Sequence, residues 1–191
     1  MTHKSAEKFG DDNTGWRKLT APRESRRALD SNLKVRFAVV GAGFTGLAAA
    51  RELALLCPDD EIVVLDARSV SAGASGRNAG YAVGVSQFGG KVTTDRVPEC
   101  LRINRLNHEG LALLREAAAP ESQHDWWQEN GYHYLAADKK SEQESQYFAE
   151  NLADFGTAHR VLDQDTIKAE IGTRHYLCGV HVPLGALVQP A

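Results

Sequence analysis

Three glycines, Gly41, Gly43 and Gly46, stand in a G-x-G-x-x-G frame that directly follows the apolar, β-branched run Val35–Val40. In such a frame the first glycine permits a tight turn out of a strand. The second lets an anion approach the backbone with no Cβ in the way, and the third lets the following helix pack close to the strand. Free N–H groups and the positive end of a helix dipole then meet phosphate charge. A lone glycine frame is weak evidence, because ordinary turns use glycine too. Here the context is the one the chemistry needs: a strand before, a helix after, and Asp66 closing a second strand twenty residues beyond Gly46. A carboxylate at that point can accept both ribose hydroxyls of an adenosine.

FAD and NAD both use this turn. Asp66 argues against a 2′-phosphate through charge repulsion, although the nearby Arg68 softens that argument. The segment that discriminates is the loop Ser71-Ala72-Gly73-Ala74-Ser75-Gly76-Arg77-Asn78-Ala79-Gly80. A typical NAD domain would go directly to another helix and strand. A long Gly-, Ser- and Asn-rich loop instead offers backbone N–H groups to a second anion or a flat polar ring. That favours FAD. Two alternatives stay open on these residues: an NAD-dependent dehydrogenase domain, and a non-catalytic dinucleotide-binding remnant.

The elements that must position these groups follow from the pattern. Val35–Val40 predicts a buried parallel strand, Phe44–Leu56 a helix rich in Ala and Leu that stops before Pro58, and Glu61–Asp66 a second strand. Together they make a βαβ unit. Ser71–Gly90, with six glycines in twenty residues, is expected to be loop. A helix is predicted over Asp95–Ala119 with Ile103, Leu106, Gly110, Leu113 and Ala117 on its apolar face, and Pro120 as its stop. Trp126-Trp127 is expected to pack in a core or domain seam. A strand follows over Tyr132–Ala136, then a helix over Glu142–Phe155 with Gly156 at its C′ position. Asp163 is expected to cap a short helix toward Ile171, and Tyr176–Val182 to form another strand.

The 191 residues carry 22 basic and 25 acidic side chains, a formal net charge of -3. That balance gives no reason to expect nucleic acid or an anionic membrane as partner. The first 33 residues are polar and aperiodic and are expected to form an arm, pinned by Trp16 and Leu19. Ser25-Arg26-Arg27 before an apolar run resembles a twin-arginine signal, but the run lies too far along and holds the spaced glycines. It is also too short to span a bilayer. A cytoplasmic protein is expected. The three cysteines, Cys57, Cys100 and Cys178, include no Cys-x-x-Cys pair. His175, Cys178 and His181 would put Cys178 on the opposite strand face from both histidines, so no metal is expected. Gly84–Phe88 lacks the last glycine of a nucleophile elbow.

The runs V-V-G-A-G-F-T-G-L-A-A-A (Val39–Ala50) and G-A-S-G-R-N-A-G-Y (Gly73–Tyr81), with Asp66 between them, resemble the D-amino-acid-oxidase-like superfamily of FAD-dependent oxidoreductases. The branch they resemble most is the γ-glutamylputrescine oxidase-like one. In that family the strand-end acid is more often Glu.

The resemblance implies an α/β, Rossmann-type FAD-binding domain followed by the start of an antiparallel α+β substrate domain, both incomplete. It divides the chain into the arm 1–33, the FAD-binding part 34–120 and the substrate part 121–191. The implied cofactor neighbours are Gly41, Gly43, Phe44, Thr45 and Gly46 at the AMP half, then Asp66, Ala67 and Arg68. Gly73, Ala74, Ser75, Arg77, Asn78, Ala79 and Gly80 complete the set, along the pyrophosphate and toward the isoalloxazine. Flavin-dependent oxidation of an amine or amino acid is the implied activity. No catalytic residue is implied within this stretch. Because family members run on past the G-A-L-V-Q-P-A pattern, a truncated form with little or no oxidase activity of its own is expected.

Overall fold

The computed structural model describes residues 14–20, 28–118 and 126–190. Pro120, the Arg23–Arg27 cluster and the Ser25-Arg26-Arg27 signal lookalike lie outside the described residues. The chain forms two compact units, one comprising the residues up to Ala79 with Gln189 and Pro190, the other Gly80–Val188.

The first unit opens with a four-residue helix α1 (Gly15–Lys18), capped by Thr14, whose side chain accepts from Arg17 N. Its centre is a βαβ motif. Strand β1 (Phe37–Val40) pairs in parallel with β2 (Ile62–Leu65) in the register Phe37↔Ile62 to Val40↔Leu65. Both are short and parallel, as the pattern predicted, but neither is the buried strand expected: no residue of either is fully buried, and Val40 is 85% exposed. Helix α2 (Phe44–Leu56) connects them and ends at Cys57, whose N–H donates to Leu53 O. Beyond β2 the chain makes a short 3-10 turn, Ala74–Gly76.

The second unit has two antiparallel sheets. Strands β3 (Tyr81–Val83), β4 (Trp127–Gln128) and β8 (Gly185–Val188) form one, with β8 central. Strands β5 (Tyr132–Ala136), β6 (Arg160–Asp163) and β7 (Cys178–Val182) form the other, with β7 central. Helix α3 (Val97–Ala118) follows β3. Helix α4 (Lys139–Asp154) connects β5 to β6, and α5 (Gln164–Ile171) connects β6 to β7.

Asp138 and Ser141 form a capping box that starts α4, and Asp163 caps α5 by accepting from Thr166 N at 2.8 Å. The core lies between α4 and the β5–β7 face, where Phe148 and Leu152 meet Val85, Val180 and Val182, with Tyr132 and Tyr134 packed alongside. Leu162 and Ile167 are buried as well.

Several expectations need correction. The segment Ser71–Gly90 is not all loop: Tyr81–Val83 pairs with β8. The buried residues of α3 are Cys100, Asn104 and Leu111, whereas Leu106 and Leu113 are about half exposed. Asn104 goes inside because its Oδ1 accepts from Ser86 N at 3.0 Å, a polar anchor that apolar periodicity does not register. Trp126 is 46% exposed, and the neighbouring Trp127 in β4 donates its indole N–H to Glu129. A glutamate partner keeps that ring at a polar surface rather than in a core. Strand β7 begins at Cys178, so His175 lies outside it.

Asn151 holds the loop before α3 to α4. Its Oδ1 accepts from Val92 N at 2.9 Å, and its Nδ2 donates to Gly90 O at 2.9 Å. Asn151 is 1% exposed. Asn151→Leu leaves a buried donor and acceptor unmade, and the expected loss is about 2–4 kcal/mol. Urea denaturation of the variant against the parent chain checks this.

Candidate functional site

The G-x-G-x-x-G turn bridges β1 and α2, and each glycine has a distinct physical reason. Gly41 sits at φ +105°, in the region that L side chains rarely adopt, and its N–H extends the strand ladder to Leu65 O at 2.7 Å. A Cβ on Gly46 would lie 1.8 Å from the carbonyl oxygen of Gly41 and 3.4 Å from Val39 Cγ1. Gly43 is the N-cap of α2, contributes no side-chain cap, and is followed by a first turn without acidic residues. The N–H groups at this helix end therefore look for acceptors outside the helix, and the first of them, that of Phe44, finds Ser75 Oγ.

Asp66 closes onto the turn from the end of β2. Its Oδ2 accepts from Ala42 N at 2.7 Å and its Oδ1 from Arg68 N at 2.8 Å. The Ala42 N–H holds the carboxyl below its ordinary value, helped by the Arg68 N–H and the Arg68 guanidinium and opposed by slight desolvation. Asp66 is thus ionised at neutral pH. Each oxygen spends one acceptor site on backbone and keeps another for an incoming hydroxyl.

The Gly73–Gly80 loop meets the same helix end. Ser75 Oγ accepts from Phe44 N at 3.0 Å, and it would lie 3.0 Å from a Cβ built on Gly43. Asn78 Nδ2 donates to Ser75 O at 2.6 Å, and Arg77 Nε donates to Ala72 O at 2.9 Å. The side chains of Arg77 and Asn78 therefore brace the loop itself. Arg68 Nη2 lies 3.4 Å from the place of a Gly73 Cβ, so its guanidinium sits beside the loop entrance. Ala67, Ala74 and Ala79 are exposed, Thr45 lies in the first turn of α2, and Gly80, at φ +81°, opens the second unit.

A groove of about 230 Å³ runs along this junction, lined by Ala42, Gly43, Phe44, Leu47, Val70, Ser71, Ser75, Gln189 and Pro190. A broader surface hollow of about 650 Å³ is lined by Thr14, Gly15, Trp16, Leu19 and Arg77. The groove is the one that contains the helix end.

Leu47, Val70, Gln189 and Pro190 are not among the expected cofactor neighbours, and Ser71 is expected only as the first residue of the discriminating loop. Ser71 is in the left-handed region at φ 65°, a backbone strain that often accompanies functional loops. No composition rule marks it. Gly76 was passed over as well, yet a Cβ there would lie 2.1 Å from Ser71 O, so it closes the waist of the loop. Among the described residues there is no group of three or more His, Cys, Asp or Glu side chains placed to hold a metal ion. Ser86 donates its N–H to Asn104, and its hydroxyl accepts from Asn107 at 2.8 Å.

The donor set suits a dinucleotide. A Cβ-free backbone at Gly43 and a helix end capped only by the Ser75 hydroxyl line one groove, and an ionised, exposed carboxylate is tied to its edge through Ala42 N.

The chain is similar to several known proteins. Over 150 residues the chain is 29% identical to "Probable oxidoreductase OrdL" of Haemophilus influenzae, covering 74% of this chain and 33% of that protein. Among solved structures, glycine oxidase from Geobacillus kaustophilus aligns with a TM-score of 0.66 at 18% identity, over 82% of this chain and 41% of its own. L-amino acid deaminase from Proteus vulgaris aligns with a TM-score of 0.60 at 17% identity, over 89% and 38%. The chain thus spans between a third and about two-fifths of the length of these relatives, and the structural likeness carries the fold. Residues 36–191 match the DAO family of FAD-dependent oxidoreductases, and the chain belongs to that family.

Proposed function

We propose that the Gly41–Gly46 turn, Asp66 and the Gly73–Gly80 loop hold FAD, and that the chain is the cofactor-binding part of an oxidoreductase acting on an amine or amino acid. The observation that carries this reading is the hydrogen bond from Phe44 N to Ser75 Oγ, taken with that from Ala42 N to Asp66. These two bonds tie three motifs, separated in sequence, to the turn at the start of α2.

In this reading the N–H groups of the first turn of α2 hold the pyrophosphate. Asp66 accepts the ribose hydroxyls of the adenosine, and Ser75, Arg77 and Asn78 keep the loop shaped for the remainder. When bound, the flavin supplies two-electron oxidation of a carbon–nitrogen bond. The amine or amino-acid donor class is supported by relatives named glycine oxidase and L-amino acid deaminase. A γ-glutamyl-diamine donor is supported by the likeness of Val39–Ala50 and Gly73–Tyr81 to that branch. A cytoplasmic setting fits the same reading; no described helix is long and apolar enough to cross a membrane.

The test separates folding from binding. Gly43→Ala brings a Cβ to 3.0 Å from Ser75 Oγ, the rotatable end of a short side chain, so the fold should adjust. The same methyl group stands where the pyrophosphate must approach. The variant is expected to melt within a few degrees of the parent chain and to bind FAD at least about tenfold more weakly, one decade being about 1.4 kcal/mol. Equilibrium dialysis with FAD and with NAD gives the answer. Binding of NAD with no binding of FAD by the parent chain would overturn the proposal.

A further inference from the structure

The segment Thr14–Thr20 makes contacts that its own sequence does not demand. A four-residue helix has too few hydrogen bonds to persist alone, so its order comes from anchors elsewhere. Two of these are explicit. Trp16 Nε1 donates to the backbone carbonyl of Asn78 at 2.8 Å, and Gln189 Nε2 donates to the carbonyl of Trp16 at 3.0 Å. The turn is closed locally by Thr14 Oγ1, which accepts from Arg17 N, and by Thr20 Oγ1, which donates to Arg17 O at 3.1 Å.

Both anchors lead to the groove. Asn78, held by Trp16 at its carbonyl, donates through its amide to Ser75 O, and Ser75 Oγ receives the N–H of Phe44 at the start of α2. Three consecutive contacts thus connect the Trp16 indole with the helix end. Gln189 lines the groove directly, beside Ser71 and Ser75. Residues 16, 78 and 189 are joined within one compact unit.

We infer that Thr14–Thr20 is a strap of the cofactor site, with Trp16 and Gln189 as positioning residues that hold the Gly73–Gly80 loop in its binding shape. This rests on the FAD reading above. A loop ordered in advance loses less conformational entropy when the ligand arrives, so the strap raises affinity without touching the ligand. The coupling is reciprocal: FAD binding must order residues 14–20 by the same factor.

Trp16→Phe keeps the aromatic body and removes only the N–H donor. The experiment measures FAD affinity by dialysis, and amide exchange by mass spectrometry with and without FAD, in the parent chain, Trp16→Phe and Gln189→Leu. Expected are about fivefold weaker FAD binding in each variant, the factor one such hydrogen bond supplies. Exchange over residues 71–80 of the FAD-free protein should quicken by a similar factor, with α4 unchanged as the internal control for folding. In the parent chain FAD should slow exchange over residues 14–20. Parent-like affinity in both variants, or unchanged exchange over 71–80, overturns the strap. A parent chain that binds no FAD overturns the cofactor reading instead. An exchange difference that persists in that case would reduce the strap to a structural contact.

Discussion

Gly46→Ala is expected to disrupt the βαβ motif more than any other single-methyl change in the first unit. The added Cβ would lie 1.8 Å from the Gly41 carbonyl oxygen, a backbone atom that is itself fixed by the Gly41 N–H to Leu65 O bond. No rotamer change relieves such an overlap; α2 must move off β1. The expected cost is about 3 kcal/mol, at the upper end for overpacking. The groove at the start of α2 should be lost with it.

Gly110→Ala in α3 is the control, because a Cβ there meets nothing within 4 Å. It should be neutral, or stabilising by up to about 1 kcal/mol from helix propensity. Limited proteolysis of residues 28–79, read beside the denaturation curve, localises the damage. A Gly46→Ala chain with the parent midpoint and intact first unit would show that the helix packs otherwise than described.

The second large effect concerns Asp66. In the proposed FAD site, Asp66→Ala takes away the charged acceptor assigned to the ribose, and it also leaves the Ala42 and Arg68 N–H groups without this partner. Hydrogen bonds to charged groups are worth about 1.5–3 kcal/mol, so FAD affinity should fall about 10- to 100-fold. Asp66→Asn should lose less, since the amide oxygen still accepts.

The pH dependence has a definite sign. The carboxyl is lowered in the folded chain, first by the Ala42 N–H, from an ordinary value of 3.8. Its contribution is therefore fully present above that ordinary value and is lost as the pH falls through the lowered one. FAD affinity should be flat, as far as this group is concerned, from neutrality down to about pH 5. A titration of binding with a midpoint near neutrality, absent from Asp66→Asn, would contradict the assignment.

How much of this was legible in the chain depends on the range of the interactions. The βαβ motif was legible because its signals are local: β-branched runs, an Ala- and Leu-rich helix found over the predicted Phe44–Leu56, and glycines at fixed spacing. Asp163 and Gly156 announced helix ends for the same reason, since caps act over three or four residues.

The buried side of α3 was not legible. Asn104 and Cys100 go inside while Leu106 and Leu113 stay half exposed, and the Ser86 N–H that Asn104 accepts comes from across the unit, outside any apolar period of the helix. Strand β8 was missed as an element; four residues, Gly185–Val188, have too little pattern, and its partners lie far away in sequence. Gln189 was missed in the groove for the same reason. Its neighbours Trp16 and Ser71 share no local motif with it.

The central place of β8 also bears on the order of folding events. Tyr81 pairs with Leu187, across nearly the whole second unit, and Trp127 pairs with Val188 from the other side. Neither neighbour of β8 can complete its ladder before that late segment arrives, and closing so long a loop is entropically slow. The β5–β7–β6 sheet, with α4 and α5 laid down between its strands, draws on closer residues and can condense earlier. Refolding followed by pulsed amide exchange should accordingly protect Tyr134 and Val180 before Tyr81 and Leu187. For a time the nascent unit carries β3 and β4 as two unzipped edges, which is the stage at which it is most exposed to mispairing with another copy.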